Sequence, residues 1–249
     1  MQNVYDLLTE SFEAATEEML AFKFDGSRAT DRTIASLYAT IYEETDAAIC
    51  LYDNKKYTGA HLILRPLLEA HVDLVALIRD PGYIEFMEAR HNREWLRFLK
   101  NGDKGTNPFL KFFWNNADVK KKIHEAEQRL AALKTRNIRP LKVAQRFGRA
   151  DMTEEYESVY NNLCCHTHND IRALEQRHIE PANDKKTFQI VINAKPGDAT
   201  IGTLLDGLLG FILSSSLYVH RHFNSAAVAR FEELDARRAQ LLKKITAPA

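Results

Sequence analysis

Apolar residues recur at intervals of three and four along most of the chain, and this is the spacing of amphipathic α-helices. Polar, glycine-containing or proline-containing segments separate these regions and mark where one helix ends and the next begins. The pattern predicts helices over about 4–22, 30–53, 60–79, 81–100, 107–133 (either continuous or broken at 115–116) and 141–147, a long helix that opens near 151, and two helices or one kinked helix over 199–245.

One stretch departs from the helical period. Residues 186–193 (KTFQIVIN) alternate and are rich in branched and aromatic side chains, so they are predicted to form a strand. We therefore expect an all-α fold, a helical bundle with a small β element near 186–193. A chain of 249 residues, 45% of them hydrophobic, can bury one substantial core. One helical domain over 1–249 is expected, with 1–30 an N-terminal helix and 224–249 a C-terminal helical extension.

Charge and cysteine content narrow the class of protein. Lys plus Arg equals Asp plus Glu, 34 against 34, which argues against broad non-specific attachment to nucleic acid or to anionic membranes. Three cysteines do not make a disulfide framework, and the first residues lack a secretory signal, so a reduced, cytoplasmic protein is expected. The apolar run 204–219 is interrupted by an aspartate, glycines and serines, which favours a buried core helix over a membrane span.

The third predicted helix carries a charged stripe. His61, Arg65, Glu69 and Asp73 lie four residues apart and therefore on one face, although the rest of the helix is apolar on nearly all sides. A helix of that kind is usually buried, so the stripe is expected to face the interior or a cleft. Two interpretations stay open: an internal Arg65–Glu69 ion pair that fixes helix packing, or an arginine that stabilises a developing anion while Glu69 orients it.

The stretch 156–178 (YESVYNNLCCHTHNDIRALEQRH) concentrates the reactive side chains of the chain. Its segment HTHND, 166–170, matches the His-x-His-x-Asp motif of metallo-β-lactamases. In a helix the two histidines would point about 200° apart, so they cannot chelate one ion together. Glycine-rich phosphate loops are absent as well, and we expect neither a metal site nor a cofactor.

The spacing Arg172-x5-His178 fits the Arg-x(4–6)-His signature of ribonucleases built on the HEPN fold. These are helical bundles whose dimers cleave RNA without a metal ion. In that chemistry a histidine acts on the 2′-hydroxyl and an arginine supports the phosphorane. The residue after Arg172 is Ala173, where those ribonucleases usually carry a polar residue, and Arg65-x5-His71 fits the same spacing.

Two separated motifs also occur in a characteristic order. An Arg65-x-x-x-Glu69 helix is followed by Tyr160 and by the segment 163–166 (LCCH), which ends in His166. This order resembles a large bacterial family of uncharacterised helical proteins, a domain of unknown function, over about 30–223. A cysteine stands near the family's usual serine, and Thr-His replaces the Pro-Ser after the histidine. The resemblance implies that Arg65, Glu69, Tyr160 and His166 surround one interior site, and it implies a distant relationship to HEPN bundles.

The leading hypothesis is a cytoplasmic, HEPN-like endoribonuclease that acts as a toxin or phage-defence effector. It predicts RNA as substrate, a homodimer, and an antitoxin or defence-system partner. His166 or His178 would be the acid–base group and Arg65 or Arg172 the phosphate stabiliser. The alternative is a non-catalytic interaction or ligand-sensing protein, in which the polar residues form a structural network.

Overall fold

The computed structural model describes residues 1–168, 170–182 and 187–246. Helix accounts for 77% of the chain, and the described strands form a single small sheet. The prediction of an all-α fold with a small β element is confirmed. The helices are α1 Gln2–Glu18, α2 Ala29–Asp53, α3 Tyr57–Arg79, α4 Tyr83–Asp103, a 3₁₀ helix Pro108–Phe113, α5 Ala117–Thr135, α6 Val143–Ala150, α7 Thr153–Glu155, a π-helix Tyr156–Tyr160, α8 Asn161–Thr167, α9 Ile171–His178, α10 Asp198–His222 and α11 Val228–Thr246.

The chain divides into two compact units. Unit 1 consists of Met1–Arg79 together with the chain from Phe147 onwards, and unit 2 consists of Asp80–Arg146. A single domain over 1–249 stays a prediction. Each unit is described by itself.

Helix α10 is the centre of unit 1 and packs against α1, α2, α3 and α11. It is the one described helix long and apolar enough to cross a membrane by length and composition, and such a test also selects core helices of soluble proteins. Its apolar residues recur at helical spacing around most of the circumference, which is the pattern of a helix enclosed by neighbours. The buried apolar residues of α10 are Ile201, Leu204, Leu205, Leu208, Leu209, Ile212, Leu213, Leu217 and Val219.

Polar groups inside this core are paired across helices. The hydroxyl groups of Tyr38 and Ser216 lie 2.9 Å apart, and Nδ1 of His71 lies 2.8 Å from the Ser215 hydroxyl. Burial lowers the pKa of His71 to about 4, so its imidazole is neutral at pH 7. These contacts attach α2 and α3 to α10 in a fixed register.

Unit 2 is built on α4 and α5, which pack against each other around Ala89 and Leu133. Ion pairs across their solvent side join Arg129 to Glu88 at 2.7 Å, and Arg136 donates two hydrogen bonds to the carboxylate of Glu85. The 3₁₀ helix packs against α4.

The region predicted as one helix from about 151 is instead a series of short helices. Helix α8 ends at Thr167, and α9 starts afresh because the carboxylate of Asp170 accepts the backbone N–H of Arg172 at 3.0 Å. Residue 169 lies outside the described residues. The π-helix places Tyr156 and Tyr160 with their rings stacked, 5.5 Å between centroids.

A two-stranded antiparallel sheet follows α9. Strand β1, Ile179–Pro181, pairs with β2, Phe188–Ile190, in the register Ile179 to Ile190. The predicted strand 186–193 contains β2 but extends beyond it, and its first residue lies outside the described residues. Neither strand is buried, so packing against a core does not lengthen the pair.

Candidate functional site

His61, Arg65 and Glu69 of the charged stripe of α3 face α8 and the π-helix, whereas Asp73, its last member, is buried at 3% exposed. Leu64, Leu67 and Leu68 turn into the core, whereas Arg65 and Glu69 are partly exposed, with 22% and 27% of their side chains accessible. Helix α3 packs directly on α8. The four-residue spacing therefore presents its polar groups to the stretch that carries Tyr160 and His166.

Arg65 is the hub of a dense network, called here the Arg65 cluster (Arg65, Glu69, Tyr160, Thr167 and His168). Its Nε lies 3.3 Å from the Glu69 carboxylate, and its Nη2 donates to the Tyr160 hydroxyl at 3.1 Å. Its Nη1 donates to the Thr167 hydroxyl at 2.9 Å and to Nε2 of His168 at 2.7 Å. Since a guanidinium only donates, Nε2 of His168 is the acceptor in this hydrogen bond. Every nitrogen of the guanidinium thus has a protein partner.

Tyr160 completes the network. Its hydroxyl donates to the Glu69 carboxylate at 3.1 Å, and its ring lies 5.4 Å from the Arg65 guanidinium carbon. Burial and the negative charge of Glu69 raise the pKa of Tyr160 to about 12, so the phenol keeps its proton at neutral pH. Phe147 packs on the Tyr160 ring at 5.1 Å between centroids. The cluster is both charge-balanced and packed.

A further carboxyl borders this cluster. Burial and the charge of Glu69 raise the pKa of Glu44, on α2, to about 7. Its buried Oε2 has no hydrogen-bond partner in the part of the chain that the structure describes. Glu44 therefore changes its protonation near neutral pH beside a carboxylate that stays paired.

One turn before Arg65, His61 meets His166. Their rings are in edge-to-face contact with 4.7 Å between centroids. The Nδ1 atom of His61 is buried and, among the described residues, has no hydrogen-bond partner. Burial, His166 and Arg177 lower the pKa of His61 to about 4, and burial followed by Arg177 lowers the pKa of His166. We call His61, His166 and Arg177 the histidine pocket.

The histidine pocket opens into a cavity of about 380 Å³. Lys195 and Glu180 line it together with Arg177, while Leu62 and Ile201 supply apolar walls. Arg177 is held by a hydrogen bond from its Nε to the carbonyl oxygen of Ala173 at 3.0 Å, but its buried Nη2 has no partner within the described ranges. The lining thus carries the two cations Arg177 and Lys195 against the one carboxylate of Glu180, although Lys195 also pairs with Asp198 at 3.9 Å. The surplus of positive charge suits an anionic ligand.

The structure brings only some of the predicted site residues together. Arg65, Glu69 and Tyr160 bond to one another, and His166 lies beside this cluster in contact with His61. Arg172 is exposed, and His178 donates from Nδ1 to the carbonyl oxygen of Val191 at 3.2 Å. Neither Arg172 nor His178 lines the cavity.

Several residues at the site were not predicted to have a catalytic role. His61 lies on the predicted stripe, four residues before Arg65, but its contact with His166 joins residues 105 positions apart and has no local signature. Arg177 comes one residue before the predicted His178 and therefore points about 100° away from it around α9. His168 reaches Arg65 because α8 has ended at Thr167, which the prediction of a continuous helix does not allow. Among the described residues, no group of three or more His, Cys, Asp or Glu could hold a metal ion.

The fold and the site define an all-α protein with a polar cluster and a cationic cavity beside α3. A family model described as a family of unknown function, DUF5677, matches residues 31–187, more than half of the sequence. The chain belongs to this family. The predicted membership of an uncharacterised family is therefore confirmed, while its proposed relationship to HEPN bundles stays a prediction. No curated protein and no solved structure matches the chain.

Proposed function

We propose that the protein is an endoribonuclease that cleaves RNA without a metal ion, and that the histidine pocket is its active site. The observation that carries this proposal is the contact between His61 and His166, from two different helices, on a cavity that also holds Arg177. This reaction needs two imidazoles, one to remove a proton and one to supply a proton. It also needs a cation, which stabilises the charged intermediate.

His61 is the base in this scheme. Because its Nδ1 is buried, Nε2 is the nitrogen available to a substrate. It takes the proton of a ribose 2′-hydroxyl while the 2′-oxygen forms a bond to phosphorus. The bond from phosphorus to the 5′-oxygen breaks, and His166 gives its proton to that oxygen. The products are a 2′,3′-cyclic phosphate and a 5′-hydroxyl. His61 has then gained one proton and His166 has lost one, and proton exchange with solvent returns each histidine to its starting state.

The cations have separate tasks. Arg177 and Lys195 line the same cavity and can face the phosphorane oxygens, where charge develops. Arg65 bonds to Thr167, the neighbour of His166, and is a positioning residue that sets where α8 presents the imidazole. The acid–base role first considered for His166 or His178 falls to His166 together with His61. The phosphate-stabilising role first considered for Arg65 or Arg172 passes to Arg177 and Lys195.

A cleavage assay tests the proposal. The full chain is incubated with a 5′-labelled single-stranded RNA in EDTA, and the ends are identified by their susceptibility to phosphatase and kinase. We expect cyclic phosphate ends, and we expect His61→Asn and His166→Asn each to lower the rate about a hundredfold to ten-thousandfold. His124→Asn, an exposed histidine of α5, is the matched control and should cleave as the wild type does. Intact RNA, or undiminished cleavage by both pocket variants, would refute the proposal.

A second pair of variants separates this site from the motif on α9. Arg172→Ala and His178→Asn remove the Arg-x5-His pair. If these changes abolish cleavage while His166→Asn retains it, the active site lies on α9 and the assignment to the histidine pocket is wrong.

The proposal includes a role as a toxin or phage-defence effector. Expression of the wild type in bacteria should slow growth, and expression of His166→Asn to the same level should not. Equal growth of the two strains would contradict the role as a toxin or effector. It would not contradict the ribonuclease activity, which the cleavage assay tests separately. The homodimer and the cytoplasmic location remain predictions, and sedimentation of the purified chain tests the first.

A non-catalytic, ligand-sensing function is the second candidate. It is favoured by the Arg65 cluster, in which the guanidinium is fully occupied by protein partners, as in a structural network. Calorimetry with a ribonucleoside 3′-phosphate, followed by analysis of its products with RNA, separates the two functions. Binding without any cleavage supports sensing.

A further inference from the structure

Unit 2 exposes an unusual number of aromatic side chains. Trp95 and Phe98 on α4 are each 38% accessible, and Phe112 on the 3₁₀ helix is 66% accessible. Their rings form a connected series, which we call the aromatic platform (Trp95, Phe98, Phe112 and Phe113). Ring centroids are 5.5 Å apart between Trp95 and Phe98, 5.3 Å between Phe98 and Phe113, and 4.1 Å between Phe112 and Phe113.

The platform follows from the spacing of α4. His91, Trp95 and Phe98 are four and three residues apart, so they lie on one stripe of the helix. Their rings are nearly parallel, at 12° for the first pair and 24° for the second. A stripe of this kind would normally be buried, but here Trp95 and Phe98 are exposed, while Leu99 at the edge of the stripe is fully buried.

Two glycines hold the neighbouring rings in place. A Cβ at Gly102 would lie 2.7 Å from Phe113, and a Cβ at Gly105 would lie 2.5 Å from Trp114. Gly105 also has a φ of +68°, which an L side chain rarely adopts. Asn107 then starts the 3₁₀ helix by accepting the backbone N–H of Phe109 at 3.0 Å. The exposed rings are therefore set by the backbone and are not the loose end of a loop.

Positive charge surrounds these rings. Residues 90–122 contain nine Lys or Arg and three Asp or Glu, although the whole chain carries 34 of each kind. Four of these cations are in ion pairs: Arg93 and Arg97 with Glu94, Lys100 with Glu127 at 2.5 Å, and Lys121 with Glu125. The surplus remains on side chains such as the exposed Lys104 and Lys111.

We propose that the aromatic platform and its basic surroundings bind single-stranded RNA. Flat rings offer stacking surfaces to unpaired bases, and lysines within reach of those rings meet the phosphates. A duplex hides its base faces, so the platform favours an unpaired strand. The clustering of charge argues for a polyanion over an apolar protein surface. The inference rests on the proposed function in naming RNA, but it concerns binding by unit 2 and not cleavage.

Intrinsic fluorescence gives a direct readout. The chain has two tryptophans, Trp95 and Trp114, and both belong to this exposed region. We expect a 20-nucleotide single-stranded RNA to quench their emission when added to the full-length His166→Asn variant, which leaves the strand intact. A duplex of the same length should quench less and bind more weakly.

Variants test the two contributions separately. Trp95→Ala with Phe112→Ala should weaken binding, measured by the anisotropy of the labelled strand, by about tenfold or more. Lys104→Ala with Lys111→Ala should reduce the slope of log K against log salt by about 1.4. Phe188→Ala, an exposed phenylalanine of unit 1, is the matched control and should bind as the parent does. Far-UV circular dichroism verifies that each variant is folded.

Three outcomes would overturn the inference: equal affinity for strand and duplex, unchanged affinity of both double variants, or quenching only by anionic vesicles or by self-association. Failure of the proposed function looks different. In that case the wild type leaves RNA intact, yet the platform variants still lose binding. If cleavage is found and the platform variants bind and quench normally, only the inference about the platform fails.

Discussion

The polar side chains on two neighbouring turns of α3 differ in how far their hydrogen-bonding groups are satisfied. At Arg65 every guanidinium nitrogen has a protein partner, and the tyrosine and carboxylate around it also bond to each other. At His61, four residues earlier, one ring nitrogen is buried without a partner among the described residues, and the adjoining Arg177 has an unpartnered Nη2. The guanidinium of the Arg65 cluster therefore has all its hydrogen-bond partners, whereas the histidine pocket contains buried groups without a partner among the described residues.

This difference in hydrogen bonding distinguishes polar side chains that stabilise the fold from polar side chains that are available to bind a ligand. An unsatisfied buried donor or acceptor costs about 1–3 kcal/mol, and at Arg177 an anionic ligand in the cavity can restore that loss by accepting from Nη2. A satisfied network contributes to folding and offers no open position. The comparison therefore predicts that changes at His61 and His166 alter chemistry, whereas changes in the Arg65 cluster alter stability.

The largest expected effect concerns stability in acid. The pKa of His61 is about 4 in the folded chain, below its ordinary value of 6.5, so the unfolded state binds more protons between these values. Stability must fall as the pH falls from 6.5 to 4, by about 3 kcal/mol for this group. His61→Phe, which cannot titrate, should lose that much less, as measured by urea unfolding at pH 7 and pH 4.

His71 has the same lowered pKa and remains in both proteins, so part of the acid sensitivity persists in the variant. Identical losses of stability in wild type and His61→Phe would show that the imidazole of His61 is not held neutral by the fold. That result would remove the contrast between the two turns.

The pH dependence of cleavage should be nearly as large. With His61 as base and His166 as acid, kcat/KM requires the first imidazole neutral and the second protonated. The pKa of His61 is lowered to about 4, so the base is neutral well above that pH, and because the pKa of His166 lies below 6.5, the protonated fraction of the acid falls about tenfold per pH unit above 6.5. Cleavage should fall about a hundredfold from pH 6.5 to pH 8.5. A profile that rises over this range would reverse the assigned roles.

Removal of Arg65 should act on folding. Arg65→Met keeps the length of the side chain but removes one hydrogen-bond donor from each of Glu69, Tyr160 and Thr167, and it should lower the free energy of unfolding by about 2 kcal/mol. Arg172→Met, at an exposed arginine, is the matched control and should change it by less than about 0.5 kcal/mol. Urea unfolding at pH 7 measures both. Equal stability of the two variants would mean that the Arg65 cluster is not a structural hub.

The smallest effect is expected at the Tyr160 hydroxyl. Tyr160→Phe keeps the ring contacts with Tyr156 and Phe147 but removes the bonds to Arg65 and Glu69, at a cost of about 1 kcal/mol. In the Arg65→Met background the same change should cost less, because the shared bond is already lost. A double-mutant cycle measures this coupling. Strict additivity would show that the two side chains act independently.

Much of the fold follows from local pattern. Helical spacing predicts α1 to α5, and the apolar character of α3 and α10 correctly indicates elements with buried faces. The alternating stretch near 186–193 predicts β2, whereas β1 has no such alternation and is defined only by pairing with it. The helix break after Thr167 depends on Asp170 as a cap, which competes with the apolar pattern around it.

The sequence predicts only part of the candidate site. The i, i+4 spacing places Arg65 and Glu69 on one face, and Tyr160 belongs to the stretch that packs on it. His61 and Arg177 need the approach of α8 and α9 to α3, and no local spacing encodes a contact across 105 residues. The pair Arg172 and His178 shows the converse, since a matching spacing does not bring two side chains to one cavity.

By itself, the sequence determined the helical class of this protein, the positions of most helices and the polar stripe of α3, because these depend on periodicity over a few turns. The tertiary structure alone decided which polar groups are satisfied. Arg65 and His61 lie on the same stripe and are equally polar in sequence. Only the packing of α8 and α9 surrounds one with partners and leaves a nitrogen of the other buried and unpaired, because hydrogen bonding depends on distances between distant segments.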